Sequence, residues 1–138
     1  NAGQPETEED TRAAVKRITG RWAEWGYSWW ALIRLDDGEM VGMACLQHLG
    51  GDKTKPHEIG WRLARTGWGQ GYASEAAAAI VRHAQQVLRL RTLYGITSQQ
   101  NQASINLLNK LGLRFERFTR RQPDGKDTNV YRRDFRQD

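Results

Sequence analysis

Hydrophobic positions change period several times along the 138 residues, and each change marks an element. Val15, Ile18, Trp22 and Trp25 recur at spacings of 3, 4 and 3, which is one face of a helix. Thr7-Glu8-Glu9-Asp10 resembles a capping box with Asp in the place of Glu, Pro5 precedes it and Gly26 follows the pattern, so a helix of about 18 residues is predicted. Ser28 to Leu35 and Met40 to Gln47 are β-rich runs around Asp36-Asp37-Gly38-Glu39, a hairpin signal. Leu49 to Pro56 reads as loop and Glu58 to Leu63 as a third strand. Beyond a glycine-rich turn, Ala73, Ala76, Ala77, Ile80, Ala84 and Val87 fall on one helical face. Thr92 to Thr97 reads as a strand, and Gln102 to Leu111 as a short helix with Asn101 as N-cap and Gly112 as its stop. Arg114 to Arg121 and Thr128 to Phe135 read as two strands joined through Pro123-Asp124-Gly125. The order α-β-β-β-α-β-α-β-β argues an α/β or α+β sandwich of helices on a mixed sheet. No repeat, low-complexity run or linker divides it, so residues 1–138 are taken as one domain.

Composition narrows the class. No window approaches the ~18 consecutive apolar residues of a membrane span, and the first ten residues are polar and acidic, unlike a signal peptide. Cys45 is the single cysteine, so no internal disulfide is available and a reducing cytoplasm is expected. No His/Cys cluster has metal-ligand spacing, and no metal is expected. The net charge of +5 admits nucleic acid, acidic protein or a phosphorylated small molecule as partner. Its distribution says more: residues 61 to 95 hold Arg62, Arg65, Arg82, Arg89 and Arg91 against one acid, Glu75.

The most specific local feature is a strand, then Trp68-Gly69-Gln70-Gly71-Tyr72-Ala73-Ser74, then a helix. A helix N-terminus has unpaired N–H groups and the positive end of the helix dipole, and glycines let an anion approach them. A phosphate-bearing ligand follows from this, and a ligand-free strand-to-helix turn is the alternative. It is not a Walker loop, because no Gly-Lys-Ser/Thr follows, and the dinucleotide fingerprint fails in spacing and in its missing acidic residue.

With these residues in view, the sequence resembles the GNAT superfamily of acyl-CoA-dependent N-acyltransferases. That family's CoA signature is Gln/Arg-x-x-Gly-x-Gly/Ala, and the segment from Trp68 to Ala73 matches it except at Trp68. Tryptophan there, followed by Gly-x-Gly-Tyr-Ala-Ser-Glu-Ala, is similar to the RimJ/RimL-type branch of ribosomal-protein N-terminal acetyltransferases. A second stretch, Asn101 to Leu113, resembles that branch's Asn-x-x-Ser...Lys-Leu-Gly-Phe segment. Glu58-Ile59-Gly60-Trp61, Asp37-Gly38-Glu39 before Val41-Gly42, and Asp127 to Tyr131 extend the similarity over about nine-tenths of the chain.

The resemblance implies a splayed mixed sheet holding acetyl-CoA between two parting strands. It implies that Trp68, Gly69, Gln70, Gly71, Tyr72, Ala73 and Ser74 belong to the cofactor site, with the backbone amides of Gly69 to Ala73 holding the pyrophosphate, that Leu63 pairs with the pantetheine like an added strand, and that Asn101 contacts the same arm. A plain helix N-cap is the other reading of Asn101. An amine acceptor must lose a proton before it can attack. Glu58, ten residues before Trp68, stands where many members place their catalytic glutamate, with a surface salt-bridge role as its alternative and His57 in reserve on the opposite face of a regular strand. Leu108 stands where many members carry a tyrosine acid, and Ser104 matches the serine thought to replace it at the cofactor, with a plain helix-surface serine as its alternative. At the place after Gly112-Leu113 where RimL-like members carry a proposed base no carboxylate is found, and Pro123 falls near that place, so their base does not carry over. Cys45 lies on the second hairpin strand away from both motifs, which argues against an acyl-cysteine.

The function implied is transfer of an acetyl group from acetyl-CoA to a primary amine, with a protein N-terminal α-amino group first and a polyamine or aminoglycoside-like amine second. Of adjacent Trp29 and Trp30, one faces the core and the other can border the acceptor. The acids Glu8 to Asp10 suit a helix start better than a cationic ligand, and Arg82, His83, Arg89 and Arg91 are candidates for the CoA 3′-phosphate, with a solvated basic face as the equal alternative. A nucleic-acid-binding module is the rival that the charge suggests, although no RNP or recognition-helix pattern supports it. A catalytically silent CoA-binding domain is a third reading. A monomer or homodimer is expected. Family members begin with a strand and helix upstream of the segment that starts here, so these elements are expected to be missing from this sequence.

Overall fold

The computed structural model describes residues 7–121 and 126–136. Its first helix, α1 (Glu8–Trp25), starts on a capping box in which the Asp10 N–H donates to Thr7 Oγ1 at 3.0 Å and the Thr7 N–H donates to Asp10 Oδ2 at 3.2 Å. It ends at Gly26, whose φ of 80° suits glycine. The expected tryptophan stripe is only half-buried, and α1 contains no fully buried residue. Trp22 meets Trp30 edge to face, with ring centroids 5.2 Å apart.

Strands β1 (Trp29–Ile33), β2 (Met40–His48), β3 (His57–Leu63), β4 (Thr92–Ser98), β5 (Arg114–Arg121) and β6 (Lys126–Asp134) form one sheet in the order β1-β2-β3-β4-β6-β5. The α/β expectation holds as a six-stranded mixed sheet flanked by helices. β1 is shorter than its sequence pattern, because the backbone turns at Arg34, whose N–H donates to the Glu39 carbonyl at 2.8 Å. The expected Pro123–Gly125 turn and Pro5 lie outside the described residues.

Helix α2 (Tyr72–Gln86) buries Ala77, Ile80, Val81 and Ala84 against the sheet. Val87, expected on that face, instead follows the helix as its C-cap and is 65% exposed. The helix ends one residue too soon to carry it inward. Helix α3 (Gln102–Lys110) lays Leu108 over Gly95 of β4, where a Cβ would stand 2.3 Å from Leu108 Cδ2. The close approach needs a glycine at that position.

Every neighbouring pair of strands is antiparallel except β3 and β4, which run parallel and register only at Glu58 and Tyr94. β2 and β3 by contrast register over seven consecutive pairs, from Gly42–Leu63 to His48–His57. The sheet therefore splays beyond Glu58, and the β3 and β4 edges facing the gap are left without a strand partner.

Candidate active site

Two cavities open where the strands part. The first, of about 810 Å³, is bordered by Leu63, Trp68, Gly69, Gly71, Tyr72, Ala73 and Ser74 on one side and by Ala103, Asn106, Leu107 and Lys110 of α3 on the other. The second, of about 730 Å³, is bordered by Trp29, Cys45, Gln47, Glu58, Gly60, Ile96, Ser98, Leu108, Thr119, Arg120 and Thr128, among others. Trp61, Arg62, Asn101 and Ser104 border both. The cavities thus meet at the splay.

The first cavity is built largely from main chain. Gly69 and Gly71 have φ values of 72° and 80°, a region that favours glycine, and a Cβ at either would meet nothing within 4 Å. Gly71 is the N-cap of α2 and no side chain caps that helix, so its first-turn N–H groups remain for an anion. Lys110 adds a cation from the facing helix and donates to Ser74 Oγ at 3.1 Å. An extended ligand ending in phosphate fits this arrangement: an unpaired strand edge along one arm, unsatisfied amides and a lysine at the end. Gln70, expected in the same site, does not border the cavity. Trp68 is 59% exposed, donates from Nε1 to the Leu63 carbonyl at 3.2 Å and lies under the Arg65 guanidinium. It holds the end of β3 onto the turn that follows.

The second cavity is built from side chains. β2–β3 register sets Gln47 opposite Glu58, and Gln47 Nε2 donates to Glu58 Oε1 at 2.8 Å. Arg21 of α1 donates from a terminal guanidinium nitrogen to Gln47 Oε1 at 2.8 Å. This chain of contacts fixes the carboxylate at the mouth of the splay. His57 does not border either cavity. Its Nε2 lies 2.6 Å from the Tyr27 hydroxyl, and its ring stacks on His48 at 4.0 Å. Burial, and secondarily the nearby His48, lower its pKa to about 4. Of the two neighbours, Glu58 is the one at the cleft.

Asn101 is both the N-cap of α3 and a cleft residue. Its Oδ1 accepts the Ser104 N–H at 3.1 Å, which leaves its amide nitrogen for a ligand. The Ser104 hydroxyl has no hydrogen-bond partner among the described residues. Leu108, at the place of the usual tyrosine, is 2% exposed and packs on Gly95, so it supplies wall rather than proton.

The fold corrects some expectations and resolves others. Cys45 stands away from both motifs in sequence, yet the register with Gly60 brings it to the second cavity. Burial, with a smaller push from Glu58, raises its thiol pKa to about 12, so it stays protonated and is a poor nucleophile. Of the two adjacent tryptophans, Trp29 borders the cavity and Trp30 packs on the core. Arg82, His83, Arg89 and Arg91 border neither cavity. At ~1.5 Å per residue, Arg82 lies ~15 Å along α2 from the phosphate-competent end. Sequence reasoning missed Gln47, Arg62 and Lys110 as site residues. Lys110 lies inside the second motif and faces the glycine turn, while Gln47 is found only through strand register.

Residues 2–114 match the family model of the acetyltransferase (GNAT) domain. The chain is 31% identical over 112 residues to the uncharacterized N-acetyltransferase YnaD of Bacillus subtilis, covering 81% of this chain and 62% of that protein. It spans 59–66% of the length of the first curated relatives it matches. An acetyltransferase structure from Agrobacterium tumefaciens superposes with a TM-score of 0.75 at 27% identity, over 98% of this chain and 75% of that one. The RimL ribosomal L7/L12 α-N-protein acetyltransferase in complex with coenzyme A shares the fold, with a TM-score of 0.75 at 22% identity over 94% of this chain and 73% of that one. With a splayed sheet, a glycine turn feeding an uncapped helix, and a family match over most of its length, the chain belongs to the GNAT acetyltransferases.

Proposed function

We propose that the chain carries an acyl-CoA-dependent N-acetyltransferase site that acetylates a primary amine, with a protein N-terminal α-amino group as first candidate. The observation that supports it most is the meeting of two unlike cavities at Asn101 and Ser104. One offers main-chain amides and Lys110 to phosphates, and the other offers a positioned carboxylate to an amine.

Acetyl-CoA, when bound, supplies an activated acetyl group as its thioester. Gly69, Gly71 and the first turn of α2 would hold its phosphates, and the open edge of β3 near Leu63 would accept the pantetheine as an added strand. Glu58 takes the proton that the attacking amine sheds. The nitrogen gains the acetyl carbon as the carbon–sulfur bond breaks, and the Ser104 hydroxyl donates a hydrogen bond to the departing thiolate while keeping its proton. The thiolate takes a proton from solvent as Glu58 releases the one it took, so the products are an amide and a free thiol. The Gln47 contact holds Glu58 in place for this exchange.

The test is release of free thiol from acetyl-CoA in the presence of N-terminal peptides, polyamines or aminoglycosides. Thiol release that depends on one amine class, and falls steeply in Glu58→Gln, supports the reading. Acetyl-CoA binding without transfer to any amine would favour a silent CoA-binding domain instead. The RimL neighbour acts on a protein N-terminus according to its description. At 22% identity it carries only the fold to this chain, so the acceptor rests on the chemistry of the second cavity.

A further inference from the structure

The charges around the second cavity are few and unevenly paired. Glu58 is the one acidic side chain among the described residues that border it. Two arginines border it as well. Arg120 is paired with Asp127 at 3.4 Å, whereas the Arg62 side chain has no hydrogen bond or ion pair among the described residues. Arg62 is exposed, so its guanidinium is available to a ligand.

β3 alternation puts Glu58, Gly60 and Arg62 on one face, with Cα atoms of the outer two ~13 Å apart. Gly60 leaves the middle of that row empty down to Cys45, since a Cβ there would stand 3.2 Å from Cys45 Sγ. The row therefore presents a carboxylate, a gap and an unpaired guanidinium. The phosphate end of the neighbouring cavity has its own donors in Lys110 and the uncapped helix. Arg62 is left over from that task.

We infer that the acceptor is an amine whose molecule also carries a carboxylate a few bonds away, with Arg62 reading that anion while Glu58 receives the amine. This rests on the proposed function above, because it assigns the second cavity to the acceptor. Polyamines and aminoglycosides carry several positive charges, and here they would meet one carboxylate and an unpaired guanidinium. A carboxylate on the acceptor instead gives Arg62 a partner with fork geometry. The anion can come from an acidic residue next to a peptide's N-terminus or from the α-carboxylate of a free amino acid.

Steady-state rates with two matched pairs separate these sources: alanyl-glutamyl-alanine amide against alanyl-glutaminyl-alanine amide, and free alanine against alanine amide. Spermidine serves as the polycation, and all rates are compared per unprotonated amine. We expect the anionic member of one pair to be preferred in kcat/KM by about 10- to 100-fold, the range of a charged hydrogen bond. Arg62→Gln should close that gap, with the loss falling on the anionic member and the KM for acetyl-CoA held. A preference for spermidine or for both neutral members overturns the inference while leaving the transferase reading intact. So does an Arg62→Gln variant that keeps the preference and raises the KM for acetyl-CoA, which would assign Arg62 to the donor. Transfer to no amine at all, with acetyl-CoA bound, removes the transferase reading and this inference with it.

Discussion

The two cavities at the splay differ in what they are made of. The side proposed for the donor relies on main chain: two left-handed glycines, an uncapped helix and an open strand edge. The side proposed for the acceptor relies on side chains drawn from β1, β2, β3, β4, β5 and β6. A main-chain site is insensitive to most substitutions and sensitive to a few that change φ or add a Cβ. A side-chain site can be respecified one residue at a time. This division lets one fold keep a donor while its acceptor changes.

Substitutions test how separate the sides are. Glu58→Gln should have the largest effect, lowering kcat by about 10²–10⁴-fold at neutral pH, the range of general base catalysis. The loss should shrink as pH rises through the amine's own pKa, and acetyl-CoA affinity by calorimetry should hold. An equal loss of acetyl-CoA binding would show that the cavities are one site energetically. Gly71→Ala forces a side chain into φ 80° at a cost of about 1–2 kcal/mol, so acetyl-CoA binding should weaken by about tenfold while the KM for the amine is kept. Ser104→Ala, on the shared wall, should lower kcat by about tenfold with both KM values near their starting values, the worth of one neutral hydrogen bond. Lys110→Met should weaken acetyl-CoA binding least, by about two- to fivefold, because the lysine is exposed, and the difference should vanish in high salt.

The same division decides what the sequence reveals. The donor side is contiguous: Trp68 to Ser74 carries both the φ-permissive glycines and the helix start, so residue order alone points to it. The capping box of α1 is legible for the same reason, its partners being three residues apart. The acceptor side is assembled by register. Gln47 meets Glu58 because His48 pairs with His57 across a loop whose length has no local signature, and Cys45 reaches Gly60 by the same slide. One residue of shift would turn each of them to the other face. Val87 fails differently, since the 3.6-residue period continues in the sequence past the point where the backbone leaves the helix.

The single rung between β3 and β4 leaves the sheet as two half-sheets bridged elsewhere by packed helices. A molecule laid along both open edges would stitch them together, and mass action would then convert donor concentration into resistance to unfolding. Under the proposed function that molecule is acetyl-CoA, whose concentration would then govern how readily the fold opens to proteases as well as how fast it turns over.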